Sequence, residues 1–450
     1  MARTRWHPVW RRSRTLWTRS VWQPRLVFWT GALAIGLISV LFARLADETQ
    51  LLFRELTAGA GWWAGIPVIL TPAGFIAVTY LAGFFPGSPG SGIPQAIAAR
   101  HLREPEERRP MLSLRVVVGK VLLTVIGLGC GASIGREGPT VQIGASVMLE
   151  VARWGNMARA RGLILAGSAA GIAAAFNTPL AGIVFAIEEM GKTYEARTNG
   201  LVLTAVILAG LAALALVGNY TYFGETDAAV SGPLDWLLVV ACGIAGGAFG
   251  AGFSIAVLRA TRRLRRFVQP APLRRKLVVA AICGLAVALI GLMSHGDTFG
   301  TGYQQARGAI EGEALPPFLF FEKFLATLLS TISGIPGGLF APSLSVGAGL
   351  GSSIGLLLGS GTSLAALLGM AGYFSGVVQA PMTTFVILLE MTGSHNTVIP
   401  LMIASMLGYG TARIISNEPL YHALSRLFIA DALRRKRVEE ALKRASSDEP

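Results

Sequence analysis

Apolar residues in this chain run in long blocks separated by short polar or glycine-rich breaks. The blocks lie at roughly 26–46, 64–85, 112–134, 138–152, 162–190, 200–217, 234–258, 277–294, 318–334, 338–358, 362–376, 380–391 and 397–415. Such blocks predict helices, and a plain bilayer-spanning helix needs ~20 apolar residues. Several blocks are shorter than that and begin at Gly/Pro breaks, so helices are expected to stop inside a membrane. Unpaired backbone at that depth is tolerated only where protein or a water-filled cavity surrounds it. The pattern therefore predicts an all-α integral membrane protein of tilted and broken helices, the architecture of a transporter or channel core.

Composition sharpens this reading. Of the 450 residues, 52% are hydrophobic and 14% charged, against about 25% charged in soluble proteins. That balance excludes a disordered chain, a disulfide scaffold and a soluble enzyme. Cys130, Cys242 and Cys283 lie in apolar stretches and read as small buried hydrophobes. The basic stretch before Leu26 is too long and Trp-rich for a signal peptide. Its Trp6, Trp10, Trp17 and Trp22 interleave with arginine and suggest an amphipathic segment at the membrane interface.

The net charge of +14 does not point to nucleic acid, because of where it falls. Basic residues gather at the N-terminus, in 100–115, in 259–276 and after Arg434, whereas 218–258 holds no Lys or Arg. The positive-inside rule then places both termini and the 259–276 loop in the cytoplasm of a cell inner (plasma) membrane protein. The segment after Tyr421 is short and helix-prone, so no regulatory domain is expected there.

An internal repeat follows from counting. Lys120, Thr124, Gly131, Pro139 and Gly144 recur 203 positions later as Lys323, Thr327, Gly334, Pro342 and Gly347. Gly167, Pro179 and Glu188 recur after 202, as Gly369, Pro381 and Glu390. Paired halves with interrupted hydrophobic segments at matching places point to a midplane binding site. The organisation read from this is an interfacial segment 1–25, a first half 26–217, a connection 218–276, a second half 277–427 and a tail 428–450.

Three glycine-proline segments mark the candidate site: Gly90 to Pro94, Gly135 to Pro139 and Gly338 to Pro342. Each precedes an apolar helical stretch and so offers free N–H groups at a positive dipole end. Several such ends converging would hold an anion without a full positive charge. Ser91 adds a hydroxyl donor, and Tyr421, after the last apolar block, can add another. Glu137 decides the mechanism, because an acid within such a segment is costly and functional by default. Its carboxylate would compete with an anion for the same N–H groups, and protonation would release it. A salt bridge to Arg136 is the competing reading, but adjacent residues seldom face each other on a helix. Glu188 has a repeat partner in Glu390 and reads as structural, whereas Glu189 faces Met391 and reads as the specialised member, able to relay protons inside. Lys120 and Lys323 read as buried supports. No metal spacing or Gly-rich phosphate loop is present, and no cofactor is expected. His295 and His395 lie in loops without a serine nucleophile motif, which argues against an enzyme.

From about Arg25 to Leu427 the chain resembles the chloride channel/transporter (CLC) family. The resemblance rests on GSGIP (90–94), GREGPTVQIG (135–144), AAAFNTPLAGIVFAIEEM (173–190), GGLFAP (337–342), LEMT (389–392) and PLY (419–421). It implies two inverted repeats, about 17–18 helices per subunit, and a homodimer with one ion pathway in each. It also implies a gating glutamate at Glu137 and an inner proton-transfer glutamate at Glu189, the mark of chloride/proton antiporters. Chloride would meet Ser91, Gly92, Ile93, Gly138, Leu339, Phe340 and Tyr421, with Lys120, Arg136 and Glu188 in support. Serine at 91 resembles the chloride rather than the nitrate form, and GREGP differs from the fluoride exporters. Gln95 and Ile97 stand where bacterial relatives carry acids, which leaves a passive gated chloride channel as the alternative at this point.

Overall fold

The computed structural model describes residues 19–59, 63, 65–155, 160–191, 199–218, 220–269 and 271–447. The amphipathic segment expected around Trp6, Trp10 and Trp17 lies outside these residues. Among them are eighteen α-helices and no strand. In the first half these are α1 (Arg19–Thr57), α2 (Pro67–Leu81), α3 (Ile93–His101), α4 (Pro105–Arg108), α5 (Leu114–Gly129), α6 (Glu137–Trp154), α7 (Ala160–Phe176), α8 (Pro179–Phe185) and α9 (Asn199–Val217). The second half follows with α10 (Pro233–Val268), α11 (Pro272–Met293), α12 (Tyr303–Ile310), α13 (Leu319–Ile332), α14 (Phe340–Leu358), α15 (Thr362–Val378), α16 (Pro381–Thr392) and α17 (Val398–Ile415). A long helix, α18 (Leu420–Ser447), ends the described chain.

Seven of the described helical segments are long and apolar enough to cross a bilayer. Others, such as α7, α15 and α16, are apolar but shorter, and the breaks before Pro179 and Pro381 stop the first two. The apolar run 162–190, expected as one piece, is broken: Asn177 takes a left-handed φ of 57° and Pro179 restarts the helix as α8. The second half repeats this break with Gln379 at φ 56° and Pro381. Residues 186–191 then continue α8 as a π-helical turn that carries Glu188 and Glu189.

Glycine pairs bring the helices together, as expected where lipid removes the hydrophobic drive and close contact supplies the attraction. Gly144 of α6 lies against Gly167 of α7, and the repeat-equivalent Gly347 of α14 lies against Gly369 of α15; a Cβ at any of them would meet backbone. Outside this core, Ile69, Leu357 and Ile414 are among the large apolar side chains left facing outward, as a lipid-facing surface requires.

The two halves meet across a local two-fold axis. Gly135 and Gly338, which are repeat equivalents, exchange N–H···O=C bonds of 2.8 and 2.6 Å as an antiparallel bridge. From that point α6 and α14 lead away in opposite senses, so the repeats are inverted. The same symmetry appears in the glutamates. Glu188 accepts from the N–H groups of Met382 and Thr383 at 3.1 and 2.6 Å, while Glu390 accepts from those of Leu180 and Ala181 at 3.0 and 2.6 Å. Each half thus caps a helix of the other.

The lysines repeat as well. Lys120 donates to the carbonyls of Ser88 and Gly90 at 2.5 and 2.7 Å, and Lys323 to those of Thr298 and Gly300 at 2.8 and 2.9 Å. Gly90 precedes Lys120 by 30 residues and Gly300 precedes Lys323 by 23, so the first half carries seven extra residues. The stretch between α3 and α5, with the short α4, holds most of them, and the rest lengthen the helices on either side. Within the second half α10 packs on α15 and α17 as α1 packs on α7 and α9 in the first.

Candidate anion site at the meeting of the repeats

All three glycine-proline segments converge at the axis. Gly90 accepts from the Gly337 N–H at 3.2 Å and donates to the Ile335 carbonyl at 3.3 Å, and Gly135 pairs with Gly338. Gly92, at φ 107°, could not hold a side chain, since a Cβ would stand 2.6 Å from the Gly138 carbonyl. Gly138 in turn abuts Ser91, whose Oγ would be 2.6 Å from an added Cβ. The N-cap residues of α6 and α14, Arg136 and Leu339, supply no side-chain cap. First-turn N–H groups of both helices therefore face one buried spot with their dipole ends.

Glu137 lies at that spot. It is fully buried, as the first residue of α6, and its Oε2 reaches across the axis to the N–H of Ala341 in the first turn of α14, at 3.5 Å. The bond is long and therefore weak, and Oε1 finds no partner. The carboxylate thus lies between two helix N-termini. Arg136 does not pair with it: the guanidinium bonds Asp47 at 2.6 Å and the Ala43 carbonyl at 2.8 Å.

The remaining residues of the site are distributed around this point. The Ser91 Oγ and the Tyr421 hydroxyl are buried, lie beside each other and make no hydrogen bond of good geometry to protein, which suits a pair that receives a ligand acceptor. Tyr421 lies parallel to Phe340, with ring centroids 6.3 Å apart, and Phe176, Phe185 and Phe374 complete an aromatic wall around Phe340. Ile93 opens α3 and Leu339 precedes α14, so both belong to the same converging ends. The Gly92 N–H differs from expectation: it donates to Gln95 Oε1 at 3.0 Å, and Gln95 Nε2 donates to the Pro89 carbonyl at 2.6 Å. Gln95 spends its amide on the loop that presents Ser91, and Ile97 is buried in the apolar core. Lys120 supports the same loop from the other side.

Glu189 is 3% exposed on the π-helical turn, beside His422. It is thus separated from Glu188, whose carboxylate is committed to α16. Toward the opposite end, Asp47, Gln50, Arg54, Arg136, Tyr222 and Tyr303 line a cavity of about 330 Å³. Tyr222 stacks edge-on with Phe176, so an aromatic chain runs from this cavity to Phe340 and Tyr421. Sequence reading missed Asp47 and His422. Asp47 sits one residue beyond the apolar block 26–46, which read as a helix end but lies inside α1.

A family model for voltage gated chloride channels matches residues 73–413. The H(+)/Cl(-) exchange transporter ClcA of Yersinia pestis is 32% identical over 417 residues, covering 86% of this chain and 84% of the relative. ClcA of Salmonella arizonae is 33% identical over 440 residues, covering 92% and 89%. Among solved structures, a slow cyanobacterial Cl-/H+ antiporter aligns with a TM-score of 0.80 at 22% identity, over 91% of this chain and 98% of that one. A CLC-type fluoride/proton antiporter aligns with a TM-score of 0.74 at 24% identity, over 89% and 96%. The structural likenesses speak for the fold, and the sequence matches span most of the chain. By the family model and these sequence relatives, this chain belongs to the voltage-gated chloride channel family.

Proposed function

We infer that the protein is a secondary active transporter that exchanges chloride for protons through one pathway per subunit. The observation that carries the reading is the Glu137 carboxylate lying against the Ala341 N–H at the uncapped start of α14. A chloride arriving there must displace it, and a displaced carboxylate takes up a proton more readily than one held by helix N-termini. Glu137 is thus both gate and outer proton acceptor. Ser91, Tyr421 and the N–H groups around Ile93, Gly138 and Phe340 bind chloride, and Glu189 carries protons at the inner end. The curated relatives are named as H(+)/Cl(-) exchange transporters, which favours exchange over passive conduction.

The membrane is a cell inner membrane with both termini in the cytoplasm. In support, Arg265 of the basic stretch pairs with Asp431 at 3.0 Å and Lys436 with Glu107 at 2.9 Å, so three basic segments share one face. A second copy covers α8, α9, α16 and α17 in a homodimer. Leu180, Leu211, Met382 and Met406 project from them, and the half-buried Glu188 and Glu390 lie at the same helix ends, where lipid would be a costly neighbour.

Reconstituted into liposomes, the protein is expected to drive protons uphill against a chloride gradient. A reversal potential that follows the chloride gradient alone, with no dependence on pH, would establish a channel instead.

A further inference from the structure

We propose that His422 is the residue that hands protons between the cytoplasm and Glu189. The proposal rests on the antiport reading above and deepens it. His422 follows Tyr421 directly on α18, and its Nε2 lies 2.9 Å from the Glu189 carbonyl oxygen and 3.8 Å from Glu189 Oε1. Its side chain is 13% exposed against 4% for that of Glu189. The imidazole therefore stands between the buried carboxyl and the rim. Donation to a carbonyl requires Nε2 to carry the hydrogen, so the neutral ring presents Nδ1 as its basic nitrogen.

The transfer balances as follows. Nδ1 binds a proton from cytoplasmic water and the ring becomes an imidazolium. The Nε2–H then swings from the carbonyl to Oε1 of the same residue, the N–H bond breaks, its electron pair stays on nitrogen and an O–H bond forms. The neutral ring left behind carries its hydrogen on Nδ1. It regains the starting tautomer when Nε2 takes a proton from water and Nδ1 gives one back to water, with no net change. The run in the other direction releases a proton to the cytoplasm.

The surroundings suit this task. Of the helices packed on α18, α3 contributes Arg100, which donates to the Met190 and Gly191 carbonyls at 2.6 and 3.2 Å, and His101, which contacts the Ile97 carbonyl. Glu188 of the π-helical turn is bonded to α16. On α18 itself Tyr421 turns to Phe340, and Arg426 pairs with Glu418 at 2.6 Å. The basic end of α10 meets α18 further along, where Arg265 pairs with Asp431. Tyr373 is the phenol that α15 carries, and it lies beside Phe253. Ile97 closes the face of α3 with an apolar side chain. Tyr421 also lies within the field of Glu189 but is fully buried. Among the described residues His422 is a titratable side chain that touches Glu189 and reaches toward the rim.

The test records chloride and proton fluxes together in liposomes, for the native protein, His422→Asn, His422→Gly and Glu189→Gln. Asparagine keeps a donor for the Glu189 carbonyl but cannot titrate. With chloride flux retained as the sign of a folded protein, His422→Asn should lower proton flux about tenfold or more. It should also erase the dependence on internal pH across the range in which histidine titrates. Imidazole inside the vesicles should restore proton flux in His422→Gly, which a merely structural role would not allow. Native proton flux and pH profile in His422→Asn, while Glu189→Gln abolishes proton movement, would overturn the role of His422 and leave antiport standing. Undiminished proton flux in Glu189→Gln would overturn the inner-glutamate reading itself.

Discussion

Two adjacent glutamates on the π-helical turn are expected to fail in different ways when changed to glutamine. Glu188 holds two N–H groups of α16, and its repeat partner Glu390 holds two of α8, with distances matching within about a tenth of an ångström. Glutamine keeps the shape but turns an amide N–H₂ toward one of the two donors. Losing a helix cap costs ~0.5–2 kcal/mol, and losing charge at a helix N-terminus costs ~0.3–1 kcal/mol at half-exposed sites such as these. Glu188→Gln and Glu390→Gln should therefore each destabilise by roughly 1–3 kcal/mol, and by similar amounts. In a chain of this length unfolding as one unit, that lowers the melting temperature by about 1 °C per kcal/mol. Tryptophan fluorescence during heating in detergent reads it. Glu189→Gln should lose proton flux in liposomes, whereas Glu188→Gln, whose carboxyl is committed to α16, should keep it. Unequal shifts for the symmetric pair, or loss of proton coupling in Glu188→Gln with Glu189→Gln unaffected, would refute the reasoning.

Further outcomes follow from the site. Ser91→Ala and Tyr421→Phe each remove a donor to an anion, worth ~1.5–3 kcal/mol, so chloride affinity by calorimetry should fall about tenfold or more in each. Gly138→Ala should abolish chloride binding while Gly252→Ala leaves it intact, since a Cβ at 138 meets Ser91 at 2.6 Å whereas Gly252 has open space. Outside the membrane, the Lys436 ammonium bonded to Glu107 holds that carboxyl below its usual range, and Glu107 holds Lys436 above its own. The carboxyl's contribution is present above its unfolded value and lost as pH falls through the lowered one; the lysine's is lost only as pH rises through its raised one. Amide protection around 430–440, taken relative to the intrinsic exchange rate at each pH, should therefore fall in acid and again in strong alkali, and Glu107→Gln should remove the acid limb.

Much of the molecule was legible because its physics is local. Glycine-proline breaks, a repeat countable from Lys120 and Lys323, and an acid in an apolar segment located the helix ends and Glu137. What escaped depended on long-range geometry. The break at Asn177 was missed although its equivalent before Pro381 was seen: both turns are a left-handed non-glycine residue two positions before a proline, a signal that apolar flanks on both sides obscure. Gly92 read as a free donor, yet a side chain three residues on takes its N–H. The partner of Arg136 is Asp47, 89 positions earlier, and His422 meets Glu189 from 233 positions away; no spacing rule reaches that far.

The central claim is that chloride and the Glu137 carboxylate contend for one cluster of N–H groups. Titration of chloride into detergent-solubilised protein, by calorimetry in two buffers of different ionisation enthalpy, measures protons taken up on binding. The native protein should take up protons as chloride displaces the carboxylate, and Glu137→Gln should bind chloride more tightly with markedly smaller uptake. Equal uptake in both, or chloride binding by the native protein with none, would contradict the account.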